Sequence, residues 1–393
     1  MTIGISQPLG ALIDKSHKPQ GPGIDDEVWS LNLDQIEPHS GHVLVKRISK
    51  SSELGPSTHP FARGTVLYSK LRPYLNKVVV ADGDGVATTE LVSLRCDASR
   101  LDAQYLAHLL RGPEFLRFAT NAVAGAKMPR MVMSEFWKYP VPVPSLPEQR
   151  RIAAILDQAD ALRAKRREAL AQLDSLTQSI FIEMFGGQQS QDWPIETIAD
   201  VAALHDGSIR TGPFGSQLLH SEFVAEGVAV LGIDNAVANE FRWGERRFIS
   251  EAKYRELRRY TVKPGDVLIT IMGTCGRCAV VPDDIPAAIN TKHLCCITLN
   301  LGKCLPDFLH AFFLRHPMAR SYLEQTSKGA IMAGLNMGLI KAMPIFIPPL
   351  PLQQTFATRN QAVEFLKTTH RAALAELDAL FASLQHRAFA GAL

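Results

Sequence analysis

The chain has 393 residues, of which 46% are hydrophobic and 21% charged, so it can form two or three globular domains and is not of the disordered class. Its net charge of +3 neither requires nor excludes a polyanionic partner, so any basic surface must be local. No run of 18 apolar residues and no signal-peptide pattern is present, which leads us to expect no membrane association and a cytoplasmic location.

Residues 1–144 have the pattern of a mixed, strand-rich domain. A helical pattern is found from Ala103 to Leu110 and again after Pro113. The region ends in Tyr139 to Pro144, where alternate prolines exclude a helix and predict an extended, stiff connection. Segments with strand composition are Val43 to Val45, Thr65 to Tyr68, Lys77 to Val80 and Leu91 to Leu94.

Residues 145–187 predict one long helix. Ser145 and Glu148 have the spacing of a capping box, and Gly186 with Gly187 provides a stop signal. Between them apolar residues recur at alternating steps of three and four for about four heptads, which is a coiled-coil pattern. A helix from Glu148 to Phe185 would span roughly 57 Å at 1.5 Å per residue.

This stretch occurs twice in the chain. Residues 145–186 align with residues 349–390 at a constant offset of 204 without a gap, so that Gln149 corresponds to Gln353. The preceding regions also correspond, and Pro264 to Leu268 echoes Arg63 to Leu67. A repeat of this length predicts two equivalent units, each a globule followed by a long helix.

Two equal helices from one chain most simply pair antiparallel and form a rod that holds the globules apart. The alternative is that each helix is buried separately in its own domain. Arg166 interrupts the seam of the first helix, and Arg359 and His370 interrupt that of the second. The predicted coiled-coil seam consists of Ile152, Ile155, Leu162, Leu173, Leu176, Ile180, Phe356, Val363, Leu366, Leu377, Leu380 and Leu384.

No catalytic constellation is found in the sequence. The phosphate loop, the HExxH zinc motif, the dinucleotide-binding glycine motif and the tetrapeptide of amino-methyltransferases are all absent. Cys275 and Cys278 precede Cys295 and Cys296, but adjacent cysteines rarely give tetrahedral zinc ligation, and buried reduced thiols are the simpler interpretation. We therefore predict no catalytic residues, no bound metal and no cofactor.

Local basic and glycine-rich segments are better candidates for function. Phe241 to Tyr260 carries seven basic and three acidic residues, which is compatible with duplex binding or with a solvated helix. Thr211 to Gln217 predicts a turn. Its glycines either let backbone amides approach a phosphate or belong to an ordinary turn without that role. Tyr68 to Lys77 and Met272 to Arg277 are matching loops with different side chains. The candidate DNA-binding residues are Lys70, Arg72, Tyr74, Lys77, Lys127, Arg130, Ser216, Gln217, Arg242, Arg246, Arg247, Lys253, Arg258, Arg259 and Arg277.

The chain resembles the DNA specificity subunit of Type I restriction-modification systems. The likeness is carried by the duplicated proline-rich connector with Leu146 to Gln149, and by Gly212 to Ser216, Pro264 to Leu268 and Leu67 to Tyr74. It covers nearly the whole chain in the family's order. A departure is Leu352, which stands where the first copy has Glu148.

The resemblance implies an α+β fold with an internal two-fold repeat. Two α/β target recognition domains are expected at residues 1–144 and 188–348. They are separated by two long helices, at residues 145–187 and 349–393, that form an antiparallel coiled coil and act as a spacer.

The resemblance also implies a function. Each recognition domain is expected to read one half of a bipartite, asymmetric site in double-stranded DNA. Two methyltransferase subunits dock on the helices, and restriction or translocase subunits join them. Adenine-N6 methylation, S-adenosylmethionine, ATP and Mg²⁺ belong to those partners, and this chain is not catalytic. The alternatives are a specificity subunit of a modification-only or other phage-defence system, and a coiled-coil scaffold that does not bind DNA.

Overall fold

A computed structural model describes residues 5–14, 16, 19–23, 25–187, 192–327 and 335–393. The chain divides into two compact units. The first consists of residues 1–168 and 371–393, and the second of residues 169–370. Each unit therefore contains one globule, half of the first long helix and half of the second.

The first globule is built from short strands, followed by helices that cover them. Its elements are β1 (Ser6–Pro8), β2 (Glu27–Leu31), β3 (Arg47–Lys50), β4 (Thr58–Phe61), β5 (Val66–Ser69), β6 (Val78–Val80), β7 (Gly85–Thr88), β8 (Leu91–Leu94), α1 (Ala103–Arg111), α2 (Pro113–Asn121), β9 (Val123–Ala124), β10 (Arg130–Met131), α3 (Met133–Lys138) and β11 (Pro140–Pro142). The long helix α4 (Leu146–Phe185) follows.

The second globule has a similar order, with two further helices among its strands. Its elements are β12 (Ile195–Thr197), α5 (Ile198–Val201), β13 (Ile209–Thr211), β14 (Phe223–Val224), β15 (Val228–Leu231), β16 (Phe248–Ile249), α6 (Glu251–Glu256), β17 (Val267–Thr270), β18 (Cys278–Val280), β19 (Ala288–Asn290), β20 (Leu294–Ile297), α7 (Pro306–Arg315), α8 (Pro317–Ser327), α9 (Met337–Ala342) and β21 (Pro344–Phe346). The long helix α10 (Leu350–Phe389) follows.

The sheets of the two units share a common part, in which β3-β2-β7 corresponds to β16-β15-β19 and β6-β5-β8 to β18-β17-β20. In the first unit one sheet has the order β3-β2-β7-β4 and another the order β6-β5-β8. In the second unit the orders are β14-β16-β15-β19 and β13-β20-β17-β18. The pairs β2 with β7 and β15 with β19 are parallel, whereas every other pair in these four sheets is antiparallel. The backbone frame of the globule is thus duplicated along with the helix.

Most of the strand predictions in the first globule are confirmed. The prediction at Val43 to Val45 is wrong, because Val43 makes only an isolated bridge to Ile36, and Leu44 and Val45 are at least half exposed. The proline connector is extended as predicted: β11 pairs antiparallel with β1, and β21 pairs in the same way with β12. Among the described residues, no helix has the length and apolarity needed to cross a membrane.

The long helices pack against each other in each unit. In the first unit Arg163 of α4 meets Asp378 of α10, with 2.6 Å between Nε and Oδ1. In the second unit the rings of Phe181 and Phe185 in α4 lie 5.7 and 5.4 Å from that of Phe356 in α10. The first half of each helix therefore faces the second half of the other. The predicted antiparallel helix pair is confirmed.

Burial along the helices differs from the predicted seam at repeat-equivalent positions. Ile152, Phe356 and Val363 are buried, and Ile155, Leu173, Ile180, Leu377 and Leu384 are half-buried. Leu162, Leu176, Leu366 and Leu380 are instead 43–51% exposed. In each unit both half-helices pack on the globule of that unit as well as on each other, so the buried stripe does not follow a strict heptad. Residues outside that heptad take the buried places, among them Leu156, Phe181, Phe185, Lys367 and Gln385.

A buried glutamine joins the start of α4 to its globule. Gln149 is fully buried, and its Oε1 accepts a hydrogen bond from the backbone N–H of Asp102 at 2.8 Å. Its Nε2 donates to the carbonyl oxygens of Arg100 and Pro144, both at 2.9 Å. One side chain thus satisfies three backbone groups, including the N-cap residue of α1.

The repeat-equivalent Gln353 makes the same three bonds at the start of α10. Its Oε1 accepts from the N–H of Leu305 at 2.8 Å. Its Nε2 donates to the carbonyls of Lys303 at 3.0 Å and Pro348 at 2.8 Å. The glutamine pair is therefore a duplicated attachment of helix to globule.

We expect Gln149→Leu to lower the free energy of unfolding by at least about 3 kcal/mol, because three backbone groups lose their partner and each costs roughly 1–3 kcal/mol. Urea unfolding of the purified protein measures this. Gln104→Leu, at an exposed position of α1, is the matched control and should leave the midpoint nearly unchanged. Equal midpoints for the two variants would contradict the role given to Gln149.

Candidate DNA interface

In the first unit a loop and a hairpin bring four predicted residues together. The loop between β5 and β6 contains Lys70 and Arg72, and the β9–β10 hairpin contains Lys127 and Arg130. The N–H of Arg72 donates to the carbonyl of Pro129 at 2.8 Å, and the two segments also pair at Leu71 and Arg130. Arg72, Lys127 and Arg130 are exposed and Lys70 is half-buried. These two segments with their four basic residues are called the cationic surface of the first unit.

The backbone at Arg72 is strained. Its φ is 49°, in the left-handed region that side chains with a Cβ rarely adopt, at a cost on the order of 1 kcal/mol. The matching loop of the second unit has Gly273 with φ 70°. The first unit thus holds an arginine in a conformation that glycine adopts without strain, and such strain is often found at functional sites.

The other two predicted residues of this loop are placed differently. Tyr74 is 45% exposed, so its ring remains available to a partner. Lys77 is turned toward the globule, and its Nζ donates to the carbonyl of Leu33 at 2.6 Å. Partial burial lowers the pKa of Lys77, with Asp34 opposing that shift. Lys77 is therefore engaged in the fold in this structure, and its contact with DNA stays a prediction.

In the second unit the structure joins the glycine-rich turn to the basic segment. The hydroxyl of Tyr260 donates to Oε1 of Gln217 at 2.9 Å, beside exposed Ser216. Lys253 is bonded to Glu222 at 2.8 Å and to Glu256 at 3.0 Å, and these hydrogen bonds raise its pKa. Lys253 thus serves as a local ion-pair partner, while Ser216 lies on an open surface.

The arginines of the basic segment fall into two groups. Arg242 is paired with Glu240, and Arg247 is paired with Asp234. The others are exposed and make no ion pair with any residue that the structure describes. Arg246 stacks over Trp243, with 5.1 Å between the guanidinium carbon and the ring centroid, and Arg259 stacks over Tyr260 at 4.8 Å. This second group consists of Arg246, Arg255, Arg258 and Arg259, and Arg277, in the loop between β17 and β18, is likewise exposed and in no ion pair with the described residues.

The matching loops of the two units share one backbone frame. The N–H of Lys70 donates to the carbonyl of Glu90 at 3.0 Å, and that of Ile271 donates to His293 at 2.9 Å. The strand registers place Ser69 opposite Leu91 and Thr270 opposite Leu294, so Glu90 and His293 are equivalent. Burial lowers the pKa of His293, and nearby Lys292 and Arg247 lower it further. Equivalent positions thus carry an anion in one unit and a neutral imidazole in the other.

The cysteines do not form a metal site within the described residues, where no group of three His, Cys, Asp or Glu side chains is close enough to hold a metal ion. Cys278, Cys295 and Cys296 are fully buried in the sheet that contains β17. Burial raises the pKa of the Cys295 thiol to about 12, which keeps it protonated.

Comparison with known proteins shows which proteins the chain resembles. Residues 59–172 match the model of the Type I restriction modification DNA specificity domain. The specificity subunit of the Type I restriction enzyme EcoDI from Escherichia coli is 33% identical over 142 residues, which is 35% of this chain and 31% of that protein. The aligned part is therefore less than a third of that relative's own length. The chain is similar to the DNA specificity subunits of Type I restriction enzymes, and the family model matches it at residues 59–172.

Solved structures extend the likeness of fold to the whole chain. The specificity subunit of the Type I restriction-modification system from M. genitalium superposes with a TM-score of 0.62 at 13% identity, over 99% of this chain and 96% of that chain. A structure described as the basis of complex assembly and conformational transition of the type I R-M system gives a TM-score of 0.57 at 18% identity over 100% of both chains.

A charge network centred on a buried histidine fixes α1 to the helix pair of the first unit. Nε2 of fully buried His108 lies 2.7 Å from Oδ1 of Asp157. Nη2 of Arg111 donates to Nδ1 of His108 at 3.1 Å, so Nδ1 is unprotonated and Nε2 carries the proton donated to Asp157. Arg163 connects Asp160, at 2.8 Å, to Asp378 of α10.

The second unit repeats the part of this network that joins the helices. Lys367, which corresponds to Arg163, is buried and bonded at 2.8 Å to both Glu364 and Asp174. Glu364 corresponds to Asp160, and Asp174 corresponds to Asp378. The sequence analysis missed these residues. The signal that identifies them is conservation of charge at the offset of 204 residues.

We expect the first unit to lose stability as the pH falls below about 6.5, because the unfolded chain then binds a proton that folded His108 does not. Burial lowers the pKa of folded His108. Its stabilising contribution is therefore complete above the unfolded pKa and is lost below it. In His108→Gln this pH dependence disappears, so the stability gap to the unmodified protein should shrink by up to about 1.4 kcal/mol between pH 6.5 and 5.5.

Urea unfolding at the two pH values measures the gap. His386→Gln, at an exposed position of α10 in the same unit, is the control and should follow the unmodified protein. If the difference in unfolding free energy between His108→Gln and the unmodified protein were the same at both pH values, His108 would not be the cause of the pH dependence.

Proposed function

We propose that this chain is the sequence-reading subunit of a restriction-modification complex, in which each globule binds one half of a bipartite, asymmetric DNA site. The observation that carries the proposal is the duplicated frame with different exposed side chains. Both helices are attached through equivalent glutamines, whereas the equivalent turns carry Glu90 in one unit and His293 in the other. Such a pair of modules is suited to two different base sequences on one scaffold.

Double-stranded DNA is the partner that the cationic loops fit best. Lys70, Arg72, Lys127 and Arg130 supply positive charge in the first unit, and the exposed arginines of the second unit supply it there. Guanidinium groups can form bidentate hydrogen bonds with phosphate oxygens or with guanine edges. Ammonium groups add a salt-dependent attraction to the phosphates. Contacts to phosphates would position the subunit, and contacts to base edges would give specificity.

The helix pair is the proposed docking surface for methyltransferase subunits. Leu162 and Leu380 are half exposed in the first unit, and their repeat-mates Leu366 and Leu176 are half exposed in the second. One leucine from each helix is thus presented in each unit. Two equivalent pairs of half-exposed leucines support the docking of two methyltransferase subunits.

The catalytic steps are assigned to partner subunits. We propose that adenine-N6 methylation with S-adenosylmethionine, and ATP- and Mg²⁺-dependent restriction or translocation, occur on those partners in the cytoplasm. This chain then contributes binding and orientation only, and we assign it no cofactor of its own. A complex that only modifies DNA would require the same reading subunit and remains the alternative.

The test is a genome-wide map of N6-methyladenine in cells with the cognate methyltransferase subunit, with and without this gene. A split motif that is methylated only when the chain is present supports the proposal. Identical maps would contradict it. Loss of the motif when either globule's loops are altered would assign each half-site to one unit.

We expect Arg258→Ala and Arg259→Ala each to weaken DNA binding by the assembled complex and to flatten its salt dependence. Each lost phosphate contact should reduce the slope of log K against log salt by about 0.9. Arg320→Ala, at an exposed arginine of α8, is the matched control and should keep the slope. Unchanged slopes for Arg258→Ala and Arg259→Ala would remove these residues from the DNA interface.

A further inference from the structure

The most sharply defined group on the cationic surface of the first unit is an arginine held by a carboxylate. An extended segment at Lys70 separates the two residues. The N–H of Lys70 donates to the carbonyl of Glu90 at 3.0 Å, and its carbonyl accepts from the N–H of Met131 at 2.8 Å. These backbone bonds fix the turn at Glu90 and the strand at Arg130 on opposite sides of Lys70. The side chains of Glu90 and Arg130 then meet over the segment at Lys70.

Glu90 occupies one edge of the Arg130 guanidinium. Nε of Arg130 lies 3.2 Å from both carboxylate oxygens, and Nη2 lies 2.9 Å from Oε1. The side chains of Arg130 and Glu90 are 44% and 25% exposed. No other hydrogen bond of the Arg130 side chain is made within the described part of the chain. The edge formed by Nη1 and the second N–H of Nη2 is therefore open to solvent.

The open edge of Arg130 has defined chemistry. Two parallel N–H donors match two acceptors on a planar ligand, as in the O6 and N7 atoms that guanine presents in the major groove. A phosphate needs no such fixed orientation, because its oxygens can be reached from many directions. Fixing the guanidinium beforehand also reduces the conformational entropy lost on binding. A rigid, half-exposed fork is thus better suited to reading a base than to neutralising the backbone.

We propose that Arg130 reads one guanine in the half-site bound by the first unit, with Glu90 as the positioning residue that orients its guanidinium. This inference rests on the proposed function. Glu90 accepts hydrogen bonds on the Nε side of the guanidinium, and guanine O6 and N7 accept on the Nη side. The contact gives specificity at one G·C pair.

The second unit does not duplicate this arrangement. The position equivalent to Glu90 is His293, which cannot hold an arginine as a carboxylate does. The second unit has its own arginine–carboxylate pair, Arg247 with Asp234, on the segment between β15 and β16. The effect of altering Arg130 is therefore confined to one half-site.

The experiment uses the complex of this chain with its cognate methyltransferase subunit. The methylated motif of the unmodified protein is first mapped. Methylation rates are then measured on duplexes in which each base pair of the motif is replaced in turn. Arg130→Ala should reduce discrimination at a single G·C pair of one half-site by about five- to 150-fold, and leave the other half-site unchanged.

Glu90 is tested as a positioning residue. Glu90→Ala should relax discrimination at the same base pair as Arg130→Ala, and Glu90→Gln, which keeps an acceptor oxygen, should restore part of it. The double variant should be no worse than Arg130→Ala alone, because both changes remove one interaction. Lys138→Ala breaks another surface ion pair of this unit, with Glu135 at 3.1 Å, and is the control for loss of an ion pair.

Three outcomes would overturn the inference. A uniform loss of methylation on all duplexes, with a salt slope reduced by about 0.9, would show a phosphate contact. Unchanged discrimination, or a change at a base pair without guanine, would exclude the guanine contact. Failure of the proposed function is distinct, since the unmodified complex would then methylate no motif that depends on this chain. Thermal midpoints of all variants show whether each is folded.

Discussion

The rest of the architecture depends on how each long helix is joined to its globule. Gln149 and Gln353 each use one amide to satisfy three backbone groups that burial would otherwise leave without partners. An amide is suited to this position because it offers a donor and an acceptor without charge, so it can be fully buried at little cost. A leucine would pack equally well and leave all three groups unsatisfied. The direction in which each helix leaves its globule is therefore set by hydrogen bonds of defined geometry.

Charges complete what the glutamines begin. In an ideal coiled coil the seam is apolar, yet here Arg163 and Lys367 lie in the packed region of the helix pair, each bonded to a carboxylate on its own helix and another on the partner. An ion pair whose cation is largely buried contributes little net stability, because desolvation of the cation offsets the Coulomb attraction. Their effect is on register, since a slip of either helix would leave a buried charge unpaired.

The sequence was sufficient for the scaffold and insufficient for the surface. An offset of 204 residues, maintained without a gap, identifies two long helices, and alternate prolines predict the extended connectors that form β11 and β21. These features depend on local periodicity and on the rigid proline ring, which a single sequence displays directly. The pairing of Arg130 with Glu90 depends on three segments that are distant in sequence, and no local pattern encodes it. The same is true of Lys77, whose place in a basic loop suggests exposure although its ammonium group is bonded to the carbonyl of Leu33.

A duplicated frame with divergent turns separates two requirements that usually conflict. Residues that hold the frame must stay constant, because a shift of the backbone would move every reading group at once. Residues at the tips of the turns can change freely, because the bond from Lys70 or Ile271 fixes the backbone there whatever the side chain. Glu90 and His293 illustrate the result, since they lie at equivalent backbone positions. The Glu90 carboxylate can orient an arginine, whereas the His293 imidazole cannot. If the globules read DNA as proposed, the turns of one globule can therefore change so that it reads a different half-site. The other globule and the two long helices need not change.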